Sequence, residues 1–208
     1  RGSIGAARID TLFAGLRYEG GALQLDTLDV HSNVGRARAS GRIALGDSAG
    51  AAPTDVRLVA TVTDLSPLAA LVGADSLDVG SGELEARLMG PAGKREFSVT
   101  TSLRTLAWNK VRLLRANVDA RGTLDRSGRP VDAHGTAEIG RFHSPEGDVQ
   151  EATATVEYAA GILHARLDAV LDDTHRVRLA GEATADSSVR TITFRTADVD
   201  ANAAHWRL

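Results

Sequence analysis

Apolar and polar residues alternate along almost the whole chain. From Arg36 to Leu45, the residues Ala37, Ala39, Gly41, Ile43 and Leu45 share one parity, and Arg36, Arg38, Ser40 and Arg42 share the other. A period of two sends the two sets to opposite faces of a β-sheet, one dry and one wet. The same reading predicts strands over 7–18, 22–31, 34–45, 55–63, 82–89, 95–104, 131–139, 149–158, 162–171, 176–185 and 189–199. Residues 106–124 read as two further segments, with an irregular run from Leu106 to Leu114. In 22–31 the parity slips between Leu25 and Leu28, which predicts a bulge at Asp26-Thr27. Residues 46–54, rich in Gly, Ala and Ser, read as a loop.

One helix interrupts the strands. In DLSPLAALVG (64–73), Ser66 suits an N-cap, Pro67 the first turn and Gly73 the stop. It holds about two turns, too few to stand alone, so it must pack on the sheet through Leu65, Leu68, Leu71 and Val72. The strands otherwise carry a loose repeat. ARASGRIAL (37–45), NVDARGTLD (117–125), VDAHGTAEI (131–139) and RVRLAGEATAD (176–186) each place a glycine mid-strand on the dry parity. Glycine there marks a bend or a close backbone approach, and repeated bends curve a sheet into a trough.

The predicted fold is therefore all-β: a long, curved, folded-over antiparallel sheet, with one short helix near 66–72. It reads as a single continuous groove segment over 1–208, divisible at the helix into 1–73 and 74–208. Its lining would be Leu23, Leu25, Ile43, Leu45, Val56, Leu58, Val62, Leu84, Leu88, Phe97, Val99 and Leu103 in the first half. In the second half it would be Val118, Leu124, Val131, Ile139, Val156, Leu163, Leu167, Leu171, Val177, Leu179, Ile192 and Phe194. About twelve strands at ~4.8 Å make a strip near 60 Å wide, far more apolar surface than a soluble monomer leaves bare. The strip needs a cover, either its own folded half or acyl chains, which require only a continuous apolar wall.

Composition removes other classes. A net charge of −3 and eight aromatics argue against nucleic acid, which calls for a basic excess or stacking platforms. With no cysteine there is no disulfide or thiolate metal site. No apolar run reaches the length of a membrane span. The chain begins at Arg1 and ends in Trp206-Arg207-Leu208, which reads as an internal piece of a longer protein.

Candidate chemistry is thin. The histidines 31, 134, 143, 164, 175 and 205 lack a helical metal-binding spacing, and His134 and His164 fall on the wet parity. Asp172-Asp173-Thr174-His175 and Asp125-Arg126-Ser127-Gly128 read as polar turns. Glu83 and Glu85, about 7 Å apart on one strand face beside Arg87, suit surface ion pairing. Gly80-Ser81-Gly82 lacks the strand–turn–helix setting of a nucleophile elbow. No cofactor motif is present, and the chain reads as a non-enzyme.

Three segments carry a family resemblance. They are Gly-Gly-x-Leu-x-Leu-x-x-Leu-x-Val…Ala-Ser-Gly-x-Ile (20–43), DLSPLAALVG (64–73) and ADVDANAAHWRL (197–208). Together they resemble the translocation and assembly module TamB family and its AsmA-like relatives of bacterial envelopes, where Trp-x-Leu introduces another unit of strands. That resemblance implies a β-groove crossing the periplasm, with an inner-membrane anchor outside this segment. It also implies an outer-membrane β-barrel partner, reached through parts of the protein beyond this chain. The implied role is passage of phospholipid acyl chains between membranes, assistance to outer-membrane protein assembly, or both. Two alternatives fit the same pattern. One is a scaffold that adds incoming outer-membrane strands to a sheet edge. The other is a closed β-sandwich of structural or adhesin-like type.

Overall fold

A computed structural model of the chain describes residues 2–4, 6–45, 53–73, 76–91, 93–145, 147–185, 190–201 and 204–207. Alternation becomes one sheet there. Fourteen strands follow in chain order: β1 (Gly2–Ile4), β2 (Ala7–Glu19), β3 (Ala22–Ser32), β4 (Gly35–Ala44), β5 (Thr54–Val62), β6 (Leu77–Gly90), β7 (Lys94–Trp108), β8 (Val111–Asp125), β9 (Pro130–Ser144), β10 (Gly147–Ala159), β11 (Ile162–Val170), β12 (His175–Ala185), β13 (Arg190–Ala201) and β14 (Ala204–Arg207). Their order in space is their order in sequence, and each pairs antiparallel with its neighbours. Turns at 20–21, 126–129 and 160–161 mark one end of the strands; those at 109–110 and 171–174 mark the other.

The sheet is open. Among the described residues, six alanines make up the buried apolar side chains: Ala22, Ala39, Ala44, Ala116, Ala152 and Ala169. No leucine, isoleucine, valine or phenylalanine joins them among the described residues. The accessible surface is 13626 Å², whereas a compact monomer of this 21.8 kDa mass exposes about 9,300 Å². A closed sandwich would have buried its large side chains, so that alternative is overturned.

The helix is a 3₁₀ helix, Ser66–Val72. Its N-cap is Leu65, one residue before the expected Ser66, and Leu65 supplies no side-chain bond. Asp64 does that work instead, accepting the Ser66 N–H at 2.8 Å. Leu68 N–H reaches back three residues to the Leu65 carbonyl, the tighter winding that suits so short a segment. Gly73 closes it at φ 66°, as expected. The helix touches β6, and Leu65 and Leu68 are half-buried; the side chains of Leu71 and Val72 lie outside the described set.

Several boundaries differ from the sequence reading. Residues 46–52 of the expected loop lie outside the described residues, but Thr54 belongs to β5. Strand β6 starts at Leu77, so Gly80-Ser81-Gly82 lies inside a strand. The irregular run 106–114 is split by the Asn109-Lys110 turn: 106–108 finish β7 and 111–125 form β8. The slip at Asp26-Thr27 is present, as pairing jumps from Leu25 to Leu28.

A second irregularity is shared by five strands. Pairing skips Gly80 in β6, Thr105 in β7, Leu114 in β8, Arg141 in β9 and Gln150 in β10. These positions lie on one line across the sheet. Thr105 and Arg141 take positive φ, 59° and 49°. Along each of these strands the apolar positions step by three instead of two: Gly82 to Val79, Leu103 to Leu106, Ala116 to Leu113, Ile139 to Phe142 and Ala152 to Val149. The ladder is thus creased near the 109–110 end, and the parity slip that makes 106–114 look irregular in sequence is the crease itself.

Candidate functional site

Paired residues on adjacent antiparallel strands share a face, so the register can be followed across the sheet. One row reads Leu12, Val30, Ala37, Ala60, Leu84, Thr101, Val118, Ala137, Ala154, Leu167, Leu179, Ala197. It crosses twelve strands and meets one hydroxyl. The next reads Ala14, Leu28, Ala39, Leu58, Ala86, Val99, Ala120, Gly135, Val156, Ala165, Gly181, Phe194. A third holds Leu16, Leu25, Gly41, Val56, Leu88, Phe97, Gly122, Ala133, Tyr158, Leu163, Ala183 and Ile192. A fourth runs from Val62 through Gly82, Leu103, Ala116, Ile139, Ala152, Ala169, Val177 and Val199 to Trp206.

These four rows make one apolar face, and most of the expected lining residues lie in them. Ile192 and Phe194 hold their places by backbone register, while their side chains lie outside the described set. Leu23 and Ile43 form a shorter row with Tyr18 near the 20–21 turn. Leu124 pairs with Arg95 in the same outer line. Three expectations fail. Leu45 lies just beyond β4 and is 60% exposed. Leu171 lies beyond β11, with its N–H on the His175 carbonyl. Val131 is bulged out, because Leu124 opposes Pro130 while Thr123 opposes Asp132.

The face is half-covered at best. Val118 and Val156 remain 38% and 37% exposed in mid-sheet. In the second row a small residue separates the larger ones almost every time, as in Ala39, Leu58, Ala86, Val99, Ala120. A 210 Å³ hollow lined by Leu163, Ala165, Leu167, Leu179, Gly181 and Ala183 lies on this face. The glycines of the repeat behave in two ways. A Cβ on Gly41 would meet the Asp55 carbonyl oxygen at 2.0 Å, and one on Gly122 would meet that of Asp132 at 2.3 Å. These are close strand approaches. Gly135 has room, its nearest atom being 3.6 Å away.

The other face is a set of cross-strand ion pairs. Asp29 of β3 accepts from Arg36 and Arg38 of β4, and the two guanidiniums hold its carboxyl far below the usual range. Glu85 takes Arg57 at 2.9 Å and Arg87 takes Asp55 at 3.1 Å. Of the acidic pair beside Arg87, Glu85 is thus satisfied across strands, while Arg87 itself serves Asp55. Further on, His134 faces Glu157, His164 faces Glu182 at 2.9 Å, and Arg178 faces Asp168 at 3.0 Å. His143 meets Asp148, and His31 meets Asp29 at 3.2 Å. The side chain of His205 lies outside the described set. Among the described residues no group of three or more such side chains converges as metal ligands do.

The two polar turns are built on single aspartates. Asp125 Oδ1 accepts the N–H of Ser127 and of Arg129 together with the Ser127 hydroxyl. Asp172 Oδ1 accepts the Thr174 N–H and hydroxyl, and His175 Nδ1 lies 2.7 Å away, lowering the Asp172 pKa to about 2.

One feature of the face is invisible in the strand pattern. The deepest burial among the described residues is at its margin, where Ala22, Ala44 and Thr54 are 3%, 2% and 1% exposed. Thr54 Oγ1 accepts the Ala44 N–H at 3.1 Å, and Arg95 Nη2 donates to the Ala44 carbonyl at 3.2 Å. Arg95 is on β7 and Ala44 on β4, with β5 and β6 between them. On a flat sheet three strand spacings are about 14 Å, beyond an arginine's reach, so β4 curls over the apolar face here. Gly41, three residues before Ala44, takes φ 133°. Arg95 has the same parity as Phe97 and Val99 and so belongs to the apolar face.

No protein-family model, no curated protein and no solved structure matches this chain.

Proposed function

We propose that this sheet is a stretch of hydrophobic conduit that carries phospholipid acyl chains across the periplasm, in a protein of the TamB and AsmA-like kind. The observation that carries the reading is the continuity of the four apolar rows on a face that, among the described residues, no second layer covers. Strands run across such a conduit and their ends form its two rims. Each methylene laid on the face gains about 0.8 kcal/mol, so a chain is held without any specific contact and can still move along it. The ion-paired face turns to water. In the full-length protein an inner-membrane anchor and an outer-membrane β-barrel partner would lie beyond this segment.

Photo-crosslinking tests this. A benzophenone amino acid at Val99 or Leu179, on the apolar face, is expected to yield phospholipid adducts in cell envelopes; at Thr100 or Arg178, on the opposite face, it is not. Absence of adducts from Val99 and Leu179, or equal yields from both faces, overturns the reading. Adducts to outer-membrane proteins from the apolar face alone would replace lipid passage with protein assembly.

A further inference from the structure

We infer that Arg95 binds the phosphate of a phospholipid whose acyl chains occupy the apolar rows; this rests on the conduit reading. Arg95 stands at the rim of the apolar face, in line with Leu124 and two residues beyond Phe97. Among the described residues its guanidinium makes one hydrogen bond, to the Ala44 carbonyl. No carboxylate pairs with it among the described residues, and its Nε is buried without a partner. Arg36, Arg38, Arg57, Arg87 and Arg178 are matched to carboxylates on the water-facing side. A positive charge left uncompensated beside an apolar face is costly unless an anion joins it.

The position selects the anion. Thr54 and Arg95 together clamp the Ala44 peptide, which fixes the guanidinium at the rim and leaves the Nη1 donors without a hydrogen-bond partner among the described residues. A planar guanidinium with free donors matches phosphate oxygens. An acyl chain on the rows places the polar end of its own molecule at this rim, where the strands end. Free phosphate offers the same oxygens, but has no tail to gain from the neighbouring apolar surface.

The test is equilibrium binding of dioctanoyl phosphatidylglycerol, dioctanoylglycerol and inorganic phosphate to the full chain and to R95Q and R95K. The unsubstituted chain is expected to prefer the phospholipid over dioctanoylglycerol by about tenfold, the worth of one charge-assisted contact. R95Q should lose that preference while binding dioctanoylglycerol unchanged, which also shows that the variant is folded. R95K should keep part of it. A preference that survives in R95Q, or equal binding of both lipids to the unsubstituted chain, overturns the inference and leaves the conduit reading standing. Inorganic phosphate that competes at its own comparable affinity assigns the site to free phosphate and overturns the lipid assignment. Binding of neither lipid overturns the conduit reading and this inference with it.

Discussion

Gly41 and Gly135 hold the same place in the repeated strand pattern, yet the backbone uses them differently. Gly41 has φ 133° and no room for a Cβ; Gly135 has ordinary φ and room for one. Gly41→Ala should therefore cost about 2 kcal/mol through strain and displacement of β5, whereas Gly135→Ala should be neutral or gain a few tenths. Urea midpoints measured on both variants check the contrast, and equal losses would refute it. Asp172 gives a pH signature. Its folded pKa of about 2, against an ordinary 3.8, reflects bonds from His175 and Thr174. Because the folded value is depressed, its contribution is complete above about pH 4 and is lost as pH falls through 2. Carboxyl NMR titration should find Asp172 ionised at pH 3, and Asp172→Asn should flatten the acid limb of stability between pH 4 and 2. At this scale the alternation identifies the face of Val99 or Leu179 unaided. It could not identify Arg95, whose partner is set by the curl of β4, nor exclude Val131, whose bulge depends on how the neighbouring strand ends.

The elements follow the same division. Strand existence is legible because period two holds for eight residues or more, and the Gly-Gly and Ala-Gly hairpins are local. The 3₁₀ winding was not, since Pro67 and Gly73 mark both ends of any short helix and the Asp64 bond that starts it lies before the expected cap. In sequence the crease is visible only as an irregular pattern over 106–114, because its logic is lateral: five strands slip together. Thr105, at φ 59°, sits on that line. A residue already in a glycine-favoured conformation gives up little on becoming glycine. Thr105→Gly should change stability by less than about 0.5 kcal/mol, while Thr101→Gly, four residues earlier in regular strand, should lose about 1 kcal/mol. Chemical denaturation distinguishes the two, and a loss at Thr105 as large as that at Thr101 would show that the slip is not a local backbone preference.

At the scale of the molecule, openness is measurable. A compact chain of 208 residues has a radius of gyration of about 17 Å. Fourteen strands at ~4.8 Å extend roughly 60 Å, so small-angle scattering should give a radius clearly above 20 Å. A value at 17 Å would mean that the face closes on itself. The topology has one more consequence. Since, among the described residues, each strand pairs in the backbone ladder only with its predecessor and successor, nothing in the ladder counts how many there are. Duplicating or deleting one hairpin would shift the reach by about 10 Å and leave every other pairing intact. The reach of a sheet built this way can be set by gene duplication alone, like a ruler lengthened one division at a time.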